Sequence, residues 1–410
     1  MDSPDQGAAG LPVDAVTFTR DSLRLELRLG ASFAGQMSAD GRQIAGTWRQ
    51  GGHELPLTLA RGDSLAAPSR PQEPKPPYPY ESEEVRYSNA AAGVTLAGTL
   101  TRPRGAGPFP CVLLITGSGA EDRDETVFGH RPFLVIADQL TRNGVAVLRV
   151  DDRGVGGSTG STATATTEDF AGDVVAGVRF LAGRKDVDAR RIGLVGHSEG
   201  GLIAPLAATR ASDVAFIVLL ASPGVTGEEI LLAQGEALVR ASGLGDAAVA
   251  QQRKVQQGLL SIAKSGADSL TTVARARALF RGLAPEADSA ALEPQVQAAV
   301  RPILSPWLRF FITYDPRPTL RKVKCPVLAM NGERDLQVLP TQNLPEIAKA
   351  LEQGGNKQVK TVELAGLNHL FQTCTTGLPS EYASIEETMD PAALDTLTRW
   401  IQARTSPGKR

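Results

Sequence analysis

A serine flanked by glycines lies in the segment Gly196–Gly201, directly after the apolar run Ile192–Val195. The pattern Gly-x-Ser-x-Gly between a strand and a helix is typical of a nucleophilic serine on a sharp turn. The glycines two residues before and after Ser198 are needed because neighbouring backbone passes too close for a Cβ atom. A glycine-rich turn can give the same letters by chance, so the motif needs partners elsewhere in the chain.

A serine hydroxyl is a weak nucleophile at neutral pH and needs a base, most often a histidine. The chain has four histidines. His53 lies in the N-terminal β segment, His130 precedes the serine in a loop, and His197 is the neighbour of the serine and projects in a different direction. His369 directly follows a predicted strand, at the same sheet edge as the serine. We therefore predict that His369 is the base for Ser198.

The histidine in turn needs a carboxylate that orients its ring and stabilises its charged form. Asp335 lies just after the buried run Val327–Met330. The chain order Ser198, Asp335, His369 is the order associated with α/β-hydrolases and not with the other serine triads. Glu333 is the competitor, but it lies two residues earlier and could face the opposite way. We predict Asp335 as the acid.

An acyl-transfer reaction also needs N–H donors for the developing oxyanion. The backbone amide of Glu199, directly after the serine, is predicted to supply one. The Gly-Ser-Gly loop 117–119 follows another apolar run, and the amide of Ser118 is predicted to supply the second. The side chain of Glu199 has two interpretations: an ion-pair partner of Arg123 or Arg153, or a group that shapes the leaving-group side.

The glycine-rich segment 149–158 lacks the Gly-Lys-Ser/Thr ending of a phosphate-binding loop and the Gly-x-Gly-x-x-Gly opening of a nucleotide-binding helix. We interpret it as a structural loop, with Asp152 and Arg153 in an ion-pair network beside the site.

Cys111, Cys325 and Cys374 have no metal-ligand spacing and are predicted to be unpaired thiols. The sequence predicts no metal ion and no organic cofactor.

The candidate catalytic residues follow predicted strands, so a sheet must position them. Past Glu81, short apolar runs alternate with stretches of helical length. That alternation is typical of βαβ units and a mainly parallel sheet. An antiparallel hairpin, Glu83–Tyr87 with Thr95–Thr101, is expected to start the sheet. The predicted buried strands are Cys111–Thr116, Val145–Val150, Ile192–Gly196, Phe216–Ala221, Val327–Met330 and Val359–Leu364. The predicted helices between them are Arg131–Asn143, Thr167–Arg184, Gly200–Arg210 and Leu344–Gln353.

Residues 225–313 interrupt this alternation between the sixth and seventh predicted strands. They have helical spacing and no strand-like run, so they are predicted to be a helical insertion in a catalytic domain formed by residues 81–224 and 314–410. The insertion should roof the site. Its larger apolar residues could line a pocket or form the insertion's own core. These residues are Leu231, Leu232, Leu238, Phe280, Trp307, Phe310 and Phe311.

Before Glu81 the pattern is different. Leucines at positions 23, 25, 27 and 29 alternate with other residues, as in a half-buried strand. Asp40-Gly41 and Gly51-Gly52 separate three further strand-like runs, which end near position 61. Residues 62–80 contain six prolines, too many for a helix or a central strand. We predict an antiparallel β domain over residues 1–61 and a stiff linker over 62–80.

The composition and the apolar runs argue against a nucleic-acid-binding protein and against a membrane-spanning protein. A chain of 410 residues with 43 Lys and Arg against 45 Asp and Glu has a formal net charge of −2, so no nucleic-acid partner is expected. The longest apolar run, Val214–Ala221, is far shorter than the roughly 20 residues that cross a bilayer. Residues 1–7 have no basic start and no apolar core, unlike a signal peptide. A chain whose leader had been removed would look the same, so a cytoplasmic and a periplasmic or secreted location both stay open.

The loops named above resemble those of the α/β-hydrolase superfamily over Glu81 to the C-terminus. They are similar to bacterial carboxylesterases related to the serine aminopeptidase-like hydrolases, some of which carry an extra N-terminal β domain similar to Met37–Trp48. The usual His-Gly before the oxyanion loop is here Thr116-Gly117. The resemblance implies an α/β fold with a mostly parallel eight-stranded sheet flanked by helices. It also implies a helical cap after the sixth strand and a small N-terminal antiparallel β domain.

The implied activity is that of a serine carboxylesterase that hydrolyses small acyl esters through a covalent acyl-enzyme. A serine aminopeptidase-like enzyme, with an acidic pocket for the substrate amine, and a thioester hydrolase are alternatives. A ligand-binding homologue without turnover is a third. The expected partner is a small-molecule ester, and the N-terminal domain or the cap could form a homo-oligomer.

Overall fold

The computed structural model describes residues 13–27, 31–50, 53–61, 69–285 and 288–406. The chain divides into two compact units. The first consists of Met1–Ser69 with Pro379–Glu386, and the second of Arg70–Leu378 with Glu387–Arg410. No helix in the described ranges is long and apolar enough to cross a membrane. In the described ranges, Cys111, Cys325 and Cys374 form no disulfide.

The first unit contains a five-stranded antiparallel sheet in which each strand pairs with the next along the chain. Leu23 and Leu25 are half-buried and Leu27 is buried, whereas the residues between them are exposed. The prediction of an antiparallel β segment is therefore confirmed. Leu29 and the turn 51–52 lie outside the described residues. The strands are β1 Val13–Thr19, β2 Ser22–Leu27, β3 Ala31–Met37, β4 Gln43–Gln50 and β5 His53–Ala60.

The second unit is built on an eight-stranded sheet. Its strands are β6 Glu81–Asn89, β7 Val94–Arg102, β8 Phe109–Ile115, β9 Ala146–Val150, β10 Val187–His197, β11 Val214–Leu220, β12 Val327–Gly332 and β13 Val359–Leu364. Their order is β13-β12-β11-β10-β8-β9-β7-β6. The pairs β6–β7 and β7–β9 are antiparallel and all others are parallel. This is the predicted mostly parallel sheet, begun by the predicted hairpin.

Helices cover both faces of this sheet. The helices are α1 Pro132–Arg142, α2 Thr167–Ala182, α3 Gly200–Ala208, α4 Gly227–Ala241, α5 Asp246–Lys264, α6 Ser269–Leu283, α7 Ser289–Ile303, α8 Pro306–Thr313, α9 Arg317–Leu320, α10 Pro340–Gln353, α11 Pro379–Tyr382 and α12 Pro391–Thr405. Apolar residues of α2, α3 and α10 pack on one face. Those of α1 and α12 pack on the other. Both faces of the central strands are thereby buried, which explains their continuous apolar sequences.

Helices α4 to α8 lie between β11 and β12, in the segment for which the sequence suggested a helical insertion. They have an apolar core of their own, to which Leu202 of α3 contributes. Leu232 and Phe280 pack in this core. The insertion therefore has its own packing and is anchored on the helix that follows Ser198.

Residues 70–80 of the predicted linker have no helix or strand, but they belong to the second unit and pack on it. Arg70 donates from Nε to the carbonyl of Gly129 over 3.1 Å. Gln72 donates to the carbonyl of Met389 over 2.6 Å and accepts from the amide of Thr388 over 2.6 Å. The part of the linker that leads into β6 is thus held along the second unit. Residues 62–68 lie outside the described ranges.

Candidate active site

Ser198 lies between the end of β10 and the start of α3, with a φ of +52°. A left-handed backbone at a serine is uncommon and is held here by the elements on either side. A Cβ atom at Gly196 would lie 2.0 Å from the carbonyl oxygen of Gly200, and one at Gly200 would lie 2.2 Å from that of Ile115. The turn therefore requires glycine at both positions, for the steric reason given by the motif.

A cavity of about 290 Å³ opens at this turn. Ser198, His369, Ser118 and Glu199 all line it. Four of the five predicted site residues thus meet at the carboxyl edge of the sheet. The fifth, Asp335, lies directly behind His369.

Asp335 Oδ2 and His369 Nδ1 are 2.8 Å apart. Asp335 is 1% exposed, and its other oxygen accepts from the amides of Gln337 and Val338 over 2.8 and 2.9 Å. Asn331 donates to Oδ2 over 3.0 Å. The carboxylate is therefore fixed in place and holds the imidazole by one nitrogen.

Glu333, the competing acid, is exposed and does not contact the histidine ring. It accepts a hydrogen bond from the amide of Gly366 over 2.8 Å. Among the described residues, neither the Ser198 hydroxyl nor Nε2 of His369 forms a hydrogen bond. The two groups line the same cavity. A hydrogen bond between a nucleophile and its base often forms only when substrate is bound.

The two predicted oxyanion donors flank the nucleophile. The amide of Gly117 donates to Glu125 Oε1 over 2.8 Å and is therefore engaged. The amides of Ser118 and Glu199 donate to no acceptor in the described part of the chain. Both are available to an oxygen in the cavity.

The side chain of Glu199 is not the ion-pair partner of Arg123 or Arg153 that the sequence suggested. Its oxygens accept hydrogen bonds from the indole N–H of Trp307, over 2.8 Å to each, and from the hydroxyl of Thr167 over 2.6 Å. Burial raises the pKa of Glu199, although the nearby hydroxyl of Ser118 favours the ionised form of this carboxylate and so lowers the pKa in part. This is therefore a carboxyl group held by neutral donors.

The sequence predicted an ion-pair network that includes Asp152 and Arg153, and this prediction is wrong for Asp152. Arg153 pairs with Asp173 over 2.8 Å, but Asp152 has no cationic partner in the described ranges. It accepts instead from the hydroxyl of Thr116 over 2.9 Å and from the amide of Glu121 over 3.0 Å. Burial raises the pKa of Asp152 to about 7. Asp152 therefore ties two loops together with neutral hydrogen bonds.

Arg123 pairs with Asp151, which precedes Asp152 in segment 149–158. It lies 2.7 Å from Asp151 and also contacts Glu84. The amide of Gly157 donates to Asp151 over 2.9 Å. These contacts agree with the interpretation of segment 149–158 as a structural loop.

A second acid–histidine pair, which the sequence did not reveal, lies beside the first. His197 Nδ1 is 2.9 Å from Glu125 Oε1, and His197 Nε2 is 3.0 Å from the carbonyl oxygen of His369. Both residues of the pair line the cavity. Burial alone would lower the pKa of His197, but the Glu125 carboxylate raises it to about 8. At neutral pH the pair therefore carries a positive histidine against a negative glutamate.

The helical insertion supplies one wall of the cavity. Leu231, Trp307 and Phe311 line it, as do Ile230 and Gln234. The indole of Trp307 stacks on Phe311 with 5.3 Å between ring centroids. Leu238 and Phe310 do not line the cavity. Leu231, Trp307 and Phe311 both line the cavity and pack in the insertion's core, so the same residues fill both predicted roles.

Comparison with known families places residues 92–365 in the X-Pro dipeptidyl-peptidase family, S15. The match spans more than half of the chain. The chain belongs to the S15 family. This S15 protein is also 28% identical over 310 residues to esterase EstD of Thermotoga maritima. That alignment covers 75% of the chain and 65% of EstD.

Two solved structures resemble the S15 protein with TM-scores of 0.50. The α/β hydrolase GrgF of a Penicillium species is 14% identical, and the match covers 80% of this chain and all of GrgF. The Pyrococcus furiosus esterase Pf2001 is 16% identical, with 84% of this chain and all of Pf2001 covered. At such identities the likeness concerns the fold. It confirms the predicted α/β-hydrolase architecture.

Proposed function

We propose that this S15 protein is a serine hydrolase that cleaves small acyl esters, with Ser198 as nucleophile, His369 as base and Asp335 as the orienting acid. One observation carries the proposal. His369 is held by Asp335 through Nδ1, keeps Nε2 free of protein partners among the described residues, and lines the same cavity as Ser198. A strained serine beside a histidine oriented in this way is the arrangement that activates a hydroxyl.

The reaction follows from these positions. His369 Nε2 accepts the proton of the Ser198 hydroxyl while Oγ bonds to the acyl carbon, and the carbonyl oxygen becomes an oxyanion. The amides of Ser118 and Glu199 donate to that oxyanion. As the C–O bond to the leaving group breaks, His369 returns the proton to the alcohol oxygen. Water then repeats the two steps on the acyl-enzyme and releases the acid.

The cavity favours small, weakly polar substrates. Its volume of about 290 Å³ is at the lower end of the range for small-molecule sites. The wall contributed by Leu231, Trp307 and Phe311 is apolar. Two relatives, EstD and Pf2001, are named esterases, which also supports an ester substrate.

Xaa-Pro peptides are the second candidate substrate, because of the family and because of Glu121. This carboxyl lines the cavity and could receive a substrate amine. However, burial and the charge of Glu125 raise the pKa of Glu121 to about 7, so it is partly uncharged at neutral pH. Glu199, the acid foreseen for an amine, already accepts hydrogen bonds from the Trp307 indole and the Thr167 hydroxyl. These two points favour the ester.

The test compares p-nitrophenyl butyrate with glycyl-prolyl-p-nitroanilide and alanyl-p-nitroanilide, using wild type and Ser198→Ala. We expect kcat/KM for the ester to exceed that for either anilide by about 100-fold or more, a difference of about 2.7 kcal/mol in transition-state binding. Ser198→Ala should remove the ester activity. Faster cleavage of the Xaa-Pro anilide would instead establish a dipeptidyl peptidase.

A further inference from the structure

The carboxyl group of Glu199 is 2% exposed and lies where four segments of the chain meet. Its hydrogen-bond donors are Trp307 at the start of α8 and Thr167 at the start of α2, and the hydroxyl of Ser118, in the loop after β8, lies nearby. Glu199 itself follows Ser198 on the nucleophile turn. All three of these groups are neutral. A buried carboxyl group is costly unless its oxygens are hydrogen-bonded, and these contacts meet that need.

These contacts leave Glu199 poorly suited to act on the substrate directly. The indole hydrogen is shared between both oxygens at 2.8 Å, and two hydroxyls approach the same group. A carboxylate engaged in this way is a weak proton acceptor for the reaction and a weak ligand for a substrate amine. Its contribution must come through the groups that it holds.

Glu199 and Ser118 also carry the two proposed oxyanion donors. One donor is the backbone amide of Glu199, and the other is that of Ser118. The Ser118 hydroxyl lies near the Glu199 carboxylate, so the side chains of the two residues that form the oxyanion site are neighbours. Donors of this kind stabilise a transition state only when they are fixed before the charge develops.

Trp307 connects the helical insertion to Glu199. Trp307 lines the cavity, stacks on Phe311 and donates to Glu199. The apolar wall of the cavity is thereby joined to the side chain of Glu199, whose own amide is one of the two proposed oxyanion donors. Because Trp307 of α8 donates to Glu199, a displacement of α8 would disturb the position of Glu199 directly.

We propose that Glu199 is a positioning residue that couples the helical insertion to the oxyanion site, through Trp307 on one side and Ser118 on the other. The inference rests on the proposed hydrolase function. It assigns to Glu199 and Trp307 a role in stabilising the transition state without contact with the reacting atoms.

The test uses Glu199→Gln, Trp307→Phe, the double variant and Glu168→Gln. Glutamine has the size of glutamate but offers one acceptor oxygen and an NH₂ group, and the indole N–H cannot reverse its direction to accept from that group. Phenylalanine keeps an aromatic ring and removes the N–H. Glu168 is the matched control, because it lies next to Thr167 but is exposed and pairs with Arg210 on the surface.

Two quantities are measured for each variant, kcat and KM for p-nitrophenyl butyrate and the inhibition constant of a phenylboronic acid. The boronate forms a tetrahedral adduct with the serine and needs the oxyanion donors, whereas KM here reports mainly the apolar wall. For Glu199→Gln we expect kcat to fall about 30-fold and boronate binding to weaken by a similar factor, with KM within about threefold. Trp307→Phe should lower kcat about fivefold, and the double variant should be no worse than Glu199→Gln by more than about twofold.

A lower melting temperature of Glu199→Gln with unchanged kcat and boronate affinity would show a purely structural role and overturn the proposal. So would additive effects of the two substitutions. Failure of the underlying function is seen separately, since the wild type itself would then neither hydrolyse the ester nor bind the boronate.

Discussion

Two acid–histidine pairs lie side by side at the carboxyl edge of the sheet. Asp335 and His369 are 2.8 Å apart, and Glu125 and His197 are 2.9 Å apart. The centroids of the two imidazole rings are separated by 4.8 Å. All four residues are buried. By composition and by the length of the acid–histidine hydrogen bond, either pair could serve a nucleophilic serine.

The pairs differ in the second nitrogen of the ring. Nε2 of His197 faces the carbonyl oxygen of His369, so both ring nitrogens of His197 face acceptors. Both must then carry hydrogen, and the ring is an imidazolium. Nε2 of His369 has no partner among the described residues, so with Nδ1–H directed at Asp335 it can remain unprotonated. What makes a histidine a base is the nitrogen left free, and not the carboxylate beside it.

The Glu125–His197 pair instead supports the backbone of the site. Glu125 Oε1 accepts from the amide of Gly117, next to Ser118, and His197 donates to the carbonyl of His369. The pair thus joins the oxyanion loop to the loop of the base. It is expected to matter for geometry and stability, and much less for proton transfer.

The largest expected effect is that of Asp335→Asn. An amide in this position favours the wrong tautomer of His369, so kcat should fall about 10⁴-fold with little change in KM. Steady-state kinetics with p-nitrophenyl butyrate measures this. Glu333→Gln is the control and should retain activity within about twofold. Equal losses in the two variants would remove the distinction between the two acids.

Glu125→Gln should have an intermediate effect. The glutamine oxygen can still accept from Gly117, but the charge that stabilises the His197 imidazolium is lost. We expect kcat to fall about tenfold through a small shift of the oxyanion loop and of His369. A loss as large as that of Asp335→Asn would mean that the second pair takes part in proton transfer, contrary to the comparison above.

The smallest effect concerns stability. Because the pKa of His197 is raised to about 8 in the folded state, its ionic contact stabilises the fold fully below about pH 6.5 and is lost as the pH rises through 8. Glu125→Gln removes this contact. The melting temperature of wild type minus that of Glu125→Gln should therefore be about 2–4 °C larger at pH 6 than at pH 9. A difference that does not change with pH would show that His197 is not charged in the fold.

The sheet was predictable because strands buried on both faces are continuous apolar runs. Strand β12, Val327–Gly332, is buried along its whole length and begins at the residue where the sequence prediction, Val327–Met330, begins. Strand β10 is longer than predicted, since its first residues are a mixture of polar and apolar side chains. The serine turn was predictable because its glycines are required by backbone contacts only a few residues away. Local sterics leave a local pattern in the sequence.

The partners of the buried acids were not predictable. Glu125 lies in a loop 72 residues before His197, and Trp307 lies 108 residues after Glu199. No periodicity connects such positions, and only the folded sheet edge brings them together. The one signal in the sequence was the small number of histidines, of which His197 lies inside the serine motif. That position argues against His197 as the base, and nothing near it in the sequence identifies Glu125 as its partner.

Covalent labelling by a fluorophosphonate tests the central claim most directly, since the reagent modifies only an activated serine. Wild type, Ser198→Ala and His369→Ala are treated with the probe, and the modified residue is located by peptide mass spectrometry. The account predicts a single adduct on Ser198 in the wild type, none in Ser198→Ala, and labelling of His369→Ala slowed by about 10³-fold or more. No labelling of the wild type, or an adduct on another residue, would contradict it.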